Sequence, residues 1–162
     1  MELGYACINM NLSKDRIMTN RTMRKKTFKL RGIEYVSELS LQNVKDLKTI
    51  VQWNNKMNIK LFRLSSQIFP WSDEYNIKDL KDYDEISKLM LEVGKIALDG
   101  GQRLTMHPGP YNCLASPTQK VVEKTIRELN FHSKQFDMMG YPPSQYNKIN
   151  IHVGGFYGDK EA

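Results

Sequence analysis

Apolar positions along the chain follow two rhythms that alternate. Four short runs carry β-type residues at a spacing near two, Leu3 to Asn9, Ile59 to Ser65, Arg103 to His107 and Lys148 to Val153, and read as strands. Between them the period lengthens to that of a helix. Val44, Leu47, Ile50 and Val51 form one stripe on a helix of roughly five turns; Ile86, Leu89, Met90, Val93, Ile96 and Ala97 form a second, stopped by Gly100-Gly101. A third stripe, Val122, Ile126, Leu129 and Phe136, follows Ser116-Pro117 as N-cap and first helical residue and ends at Gly140. Strands that alternate with long helices make parallel βα units, so the fold class is α/β. The stretch Lys14 to Gly32 has no clear period and reads as a loop, with room for one short helix.

Four βα units are half of a TIM barrel, which takes eight strands and about 250 residues. At 162 residues the chain therefore reads as one domain, residues 1–162, forming the N-terminal half of such a barrel, a truncated half barrel; an open four-stranded sheet is the rival. The alternation of strand side chains adds a site to this picture. Asn150 and His152 share one face of the fourth strand, Thr105 and His107 of the third, Arg63 and Ser65 of the second, and Tyr5, Cys7 and Asn9 of the first. Polar groups at the C-terminal ends of adjacent barrel strands outline half of a pocket where active sites of this architecture sit.

Composition changes the picture in two places. The chain holds 24 Lys and Arg against 18 Asp and Glu, a net charge of +6, and the excess gathers in the aperiodic stretch as Arg16, Arg21, Arg24, Lys25, Lys26, Lys29 and Arg31. Such a run fits a clamp on phosphates, while a solvated loop is its commoner explanation. Cys7 and Cys113 are too isolated for a disulfide framework or a metal finger, and no apolar run reaches transmembrane length, so a soluble intracellular protein is expected, with no membrane partner. His107 and His152, at the ends of neighbouring strands, suit a divalent metal and equally suit plain hydrogen bonding at the mouth. His132 lies mid-helix and is assigned to packing or surface. Tyr5, Trp71 and Tyr111 offer faces for stacking on bases, Trp71 being as well suited to packing its own loop.

Six segments in order, LGYACINMNL, NRT, LQNVKDL, FRLSSQIFPW, QRLTMHPGPYN and INIHVGGFYGDKE, resemble the UV damage endonuclease family across essentially the whole chain. The resemblance implies a barrel enzyme that uses two or three divalent cations, often manganese (Mn2+), to cut the phosphodiester 5′ of pyrimidine photoproducts in double-stranded DNA. By motif, His107 and His152 correspond to metal ligands, Tyr5 and Asn9 to residues at the damaged bases, and Tyr111 to one of a pair that wedges into the duplex. The chain departs from the pattern at Pro110, where a Gln precedes the wedging tyrosine, and at Ser72-Asp73-Glu74, where a further histidine is usual and Glu74 becomes the candidate ligand. The remaining ligands belong to a second half, so this chain by itself is expected to lack a complete metal centre and to have little or no activity. Two other readings fit the residues: a metal-dependent sugar isomerase-like barrel, and a non-catalytic half barrel that binds DNA or self-associates through its exposed edges.

Overall fold

A computed structural model describes residues 2–151. Three parallel strands, β1 (Gly4–Ala6), β2 (Leu61–Leu64) and β3 (Arg103–Met106), lie in the order β1-β2-β3. Each is followed by a helix, α1 (Lys25–Lys56), α2 (Tyr83–Asp99) and α3 (Gln119–Met138). This is the α/β repeat of a partial TIM barrel. The fourth expected strand is present as one parallel bridge, Met106 with Ile149, in which Met106 N–H donates to Lys148 and Asn150 N–H to Met106. His152 and Val153 lie outside the described residues.

Register sorts the strand side chains into two faces. Tyr5, Phe62 and Leu104 align, as do Ala6, Arg63 and Thr105. Phe62, Leu64, Leu104 and Met106 are wholly buried beneath the helices, against Val44, Leu47, Ile50 and Val51 of α1 and Ile86, Met90, Val93 and Ala97 of α2. Burying side chains of this size contributes ~1.5–3 kcal/mol each, which makes this layer the main source of stability. The opposite face, with Gly4, Ala6, Leu61, Arg63, Arg103, Thr105 and Asn150, lines an open hollow of about 350 Å³. It is the face that a complete barrel turns inward.

The helices depart from expectation in instructive ways. α1 begins at Lys25 and not after Gly32, so the last part of the stretch expected as a loop is helical; a 3₁₀ turn, Leu12–Asp15, precedes it. Gly32, at φ 64° and ψ −159°, breaks the helix and lets the basic first two turns set off at their own angle. Those turns show no sequence period because a single large residue, Phe28, anchors them, stacked on Trp71 at 5.5 Å. α2 carries Asp84 and Glu85 in its first turn, where the helix dipole favours them, and Gly101 at φ 62° supplies its left-handed stop. α3 starts at Gln119 with Thr118 as N-cap, two residues later than Ser116-Pro117 predicts. Its expected apolar stripe is also displaced: Ile126 is 46% exposed, while Thr125, Phe131, His132, Gln135 and Phe136 are buried. His132, expected to serve packing or surface, is fully buried. No helix among the described residues is long and apolar enough to cross a membrane.

Candidate functional site

Three loops leave the C-terminal ends of the strands, and α1 ties the first two together. Asn43, wholly buried, accepts the Arg21 N–H (3.1 Å) and donates to the carbonyls of Arg21 (3.1 Å), Gln67 (3.3 Å) and Ile68 (3.0 Å). One turn on, Asp46 accepts the Met18 N–H at 2.9 Å and pairs with the Arg21 guanidinium at 2.7 Å. Both residues belong to LQNVKDL, and the signal for them was available: two amide or carboxylate side chains spaced three apart inside an apolar stripe must find buried partners. Arg21 is thereby a structural cation whose charge is matched by Asp46, while Arg24, Lys25 and Lys26 are exposed along the start of α1. Trp71, itself at φ 57°, fastens this arm by donating from Nε1 to the Met23 carbonyl at 3.1 Å and by stacking on Phe28, so its ring is committed to packing.

The third loop holds His107 and Tyr111. His107 Nδ1 donates to the Asn150 carbonyl at 3.1 Å, the kind of backbone partner that orients metal-binding histidines. Its donor chemistry therefore fits a divalent ion. Glu74 is exposed in the β2–α2 loop, in the field of Lys124, whose ammonium is raised above its ordinary value chiefly by its hydrogen bond to Asp73. Among the described residues no three His, Cys, Asp or Glu side chains gather as a metal cluster. Beyond His107, the chain makes a β-turn, Gly109-Pro110-Tyr111-Asn112, closed by Asn112 N–H to the Gly109 carbonyl at 3.2 Å and by the Asn112 amide at 3.0 Å. Proline at the second position presets the turn's φ, and Tyr111 at the tip is 90% exposed. Pro110 thus has a local role: it stiffens the support of Tyr111.

Tyr5 and Asn9 sit at the other edge of the sheet and are joined to each other. The Tyr5 hydroxyl donates to Asn54 at 2.7 Å and accepts from Asn9 at 2.9 Å, and its ring tilts on Phe62 at 4.9 Å. Its register with Phe62 turns Tyr5 toward the helices and not toward the mouth with Arg63, which corrects the facing expected from alternation. The reason is local. Alternation holds only in extended backbone, and Cys7 at φ 59° ends it directly after Ala6. Burial raises the Tyr5 phenol above its ordinary value, against the lowering effect of Asn9 and Asn54. Asn9 Oδ1 meanwhile accepts the N–H groups of Asn11 and Leu12, fixing the 3₁₀ turn.

The chain matches the family model described as UV-endonuclease UvdE over residues 1–162. It is 39% identical to the putative UV-damage endonuclease of Acanthamoeba polyphaga mimivirus over 100% of its own length and 49% of the relative's. With the UV-damage endonuclease of Schizosaccharomyces pombe it shares 40% identity over 99% of this chain and 27% of that protein. The crystal structure of SacUVDE superposes with a TM-score of 0.84 at 31% identity, covering 99% of this chain and 52% of that one. The chain thus spans about half or less of the length of these relatives. The match runs through the segments that build the turn at Tyr111, the LQNVKDL clip and the sheet itself, and the chain belongs to the UV-endonuclease UvdE family.

Proposed function

We propose that this chain serves a DNA-repair endonuclease that incises the phosphodiester 5′ of UV photoproducts in double-stranded DNA, and that it supplies the lesion-contacting loops and part of the metal site. The observation that carries this reading is Tyr111, 90% exposed on a proline-stiffened turn directly beyond His107. A stiff, exposed ring can enter a duplex where stacking is already weakened, which selects damaged sites by their low cost of opening. Arg24, Lys25 and Lys26 are suited to phosphates on either side, where they position the duplex without reading it. Tyr5 and Asn9, which the resemblance assigns to the damaged bases, are locked together at the other edge of the sheet with Asn9 buried, so their part is to hold that edge of the site in shape. His107 would hold a divalent ion, manganese being the expected species, with His152 and Glu74 as further ligands and the rest coming from the remainder of the barrel. Such an ion supplies Lewis acidity and an activated water.

The direct test is incision of an end-labelled duplex carrying one cyclobutane dimer, with and without Mn2+, by this chain and by the chain extended through a complete barrel. Cleavage 5′ of the dimer only by the extended, metal-supplied protein is expected; no cleavage by either removes the nuclease reading and leaves a non-catalytic DNA-binding module. Tyr111→Ala is expected to weaken binding to the dimer duplex by about 10-fold, from a stacking contribution of ~1–3 kcal/mol, as read by fluorescence anisotropy. The basic arm makes a separate prediction. Replacing Arg24, Lys25 and Lys26 together by Gln should reduce the slope of log K against log salt by about 2 to 3, at ~0.9 per phosphate contact. Arg21→Gln should leave that slope nearly unchanged, because its charge is already matched by Asp46.

A further inference from the structure

The face that α3 turns inward is polar along a line where an apolar seam is the usual solution. Thr125, His132 and Gln135 are each at most 1% exposed, and Glu128 stands between them at helical spacing. Buried groups of this kind need partners; Glu128 and Thr125 find theirs in the β3–α3 loop, while His132 and Gln135 pair with each other on the helix. Glu128 Oε1 accepts the Gly109 N–H at 3.2 Å and stands 3.5 Å from His132 Nε2. The Gln135 amide donates to His132 Nδ1 at 3.0 Å, which puts the ring proton on Nε2, facing Glu128. Thr125 Oγ1 donates to the Val121 carbonyl at 2.9 Å and accepts the Cys113 N–H at 3.0 Å. Gly109 and Cys113 bracket the turn that presents Tyr111.

We propose that Glu128, oriented by His132, and Thr125 are positioning residues that clamp the two ends of the Tyr111 turn, so that lesion discrimination depends on a buried helix face that never meets DNA. The inference rests on Tyr111 being the residue that enters the duplex. Three observations support it. The clamp grips the turn's first residue, Gly109, and the residue that follows the turn, Cys113, so it fixes direction and not merely proximity. Burial acts to raise the Glu128 carboxyl, yet the nearby His132, Gly109 N–H and Asn112 outweigh it and hold the group below its ordinary value, keeping an anionic acceptor for the Gly109 N–H. Pro110 removes freedom inside the turn, which has value for aiming a side chain only if the ends are also held.

The test compares Glu128→Ala, Glu128→Gln, Thr125→Val and Tyr111→Ala by two readouts: amide hydrogen exchange at Gly109 and Cys113, and the ratio of affinities for a dimer-containing and an undamaged duplex at fixed salt. Glu128→Ala should speed Gly109 exchange by about tenfold, the loss of one hydrogen bond of ~1.4 kcal/mol, and should lower the affinity ratio toward that of Tyr111→Ala while leaving undamaged-duplex affinity unchanged. Glu128→Gln keeps a carbonyl acceptor and should restore most of both. Thr125→Val removes the acceptor for Cys113, together with the hydroxyl's bond to the Val121 carbonyl on its own helix, so it carries the same test, read at Cys113, if Glu128→Ala fails to fold. Unchanged exchange at Gly109, or a loosened turn with an undiminished ratio, overturns the proposal. A wild-type protein with no preference for the dimer overturns the functional reading of Tyr111 instead, while Gly109 exchange still decides the clamp by itself.

Discussion

Asn43→Ala is expected to lower unfolding free energy by about 3 kcal/mol and to release the basic arm. Four hydrogen bonds converge on this one wholly buried amide, and their other ends are main-chain groups of two different loops. A truncated side chain leaves those groups without partners where water reaches poorly, and each such loss costs ~1–3 kcal/mol before relaxation. Relaxation will recover part of it, since Arg21 and its loop are only partly enclosed. Denaturant unfolding measures the first effect, and limited trypsin digestion at Arg21 and Arg24 the second. A midpoint shift worth under ~1 kcal/mol with unchanged cleavage would show that Asn43 is not the clip its geometry describes. Asn43→Asp makes a sharper control: it keeps an acceptor for Arg21 N–H but loses the donors to Gln67 and Ile68 and buries a charge, so it should be no better than alanine.

Gly94→Ala should destabilise by a similar amount, about 3 kcal/mol, against the ordinary trend for a helix interior. On helix propensity alone alanine gains ~1 kcal/mol over glycine. Here a Cβ would stand 1.7 Å from the Met139 carbonyl oxygen and 2.6 Å from its carbon, so backbone must move and not merely a side chain. Overpacking of that kind typically costs ~1–3 kcal/mol, and sometimes more where the obstacle is rigid. Because Met139 ends the helix that carries Thr125, Glu128 and His132, displacing it should also loosen the Tyr111 turn. Thermal unfolding decides between the two arguments by sign. A raised Tm would mean that α2 and α3 do not meet as closely as the structure has them, and would weaken the clamp with it.

Together these variants separate three kinds of residue. Asn43, Asp46 and Trp71 hold loops to the scaffold; Thr125, Glu128 and His132 aim one turn; Tyr111 and the exposed cations Arg24, Lys25 and Lys26 are free to meet a ligand. Damage to the first group should appear in stability, to the second in lesion preference, and to the third in affinity and its salt dependence.

The sequence by itself determined the alternation of strand and helix, because a two-residue and a 3.6-residue apolar period are local properties that survive without knowledge of neighbours. It also determined that polar residues cluster beyond the strand ends, and the ordered segments carried the family. Tertiary structure decided what periodicity could not express. Phe28 meets Trp71 across 43 positions of chain only once both loops fold, so the helical start at Lys25 had no local signature. The facing of Tyr5 depended on where extended backbone stops, at Cys7. Glu128 and Thr125 on the inner side of α3 are matched by loop amides at Gly109 and Cys113, and a stripe count credits only apolar residues. Arg21 was legible as a cation, but whether a cation faces solvent or a carboxylate depends on Asp46, which reaches it across the fold. Local propensity is written in neighbouring residues; the pairing of buried polar groups is a property of the folded chain, and in this protein it is what separates the residues that hold the site from those that face outward.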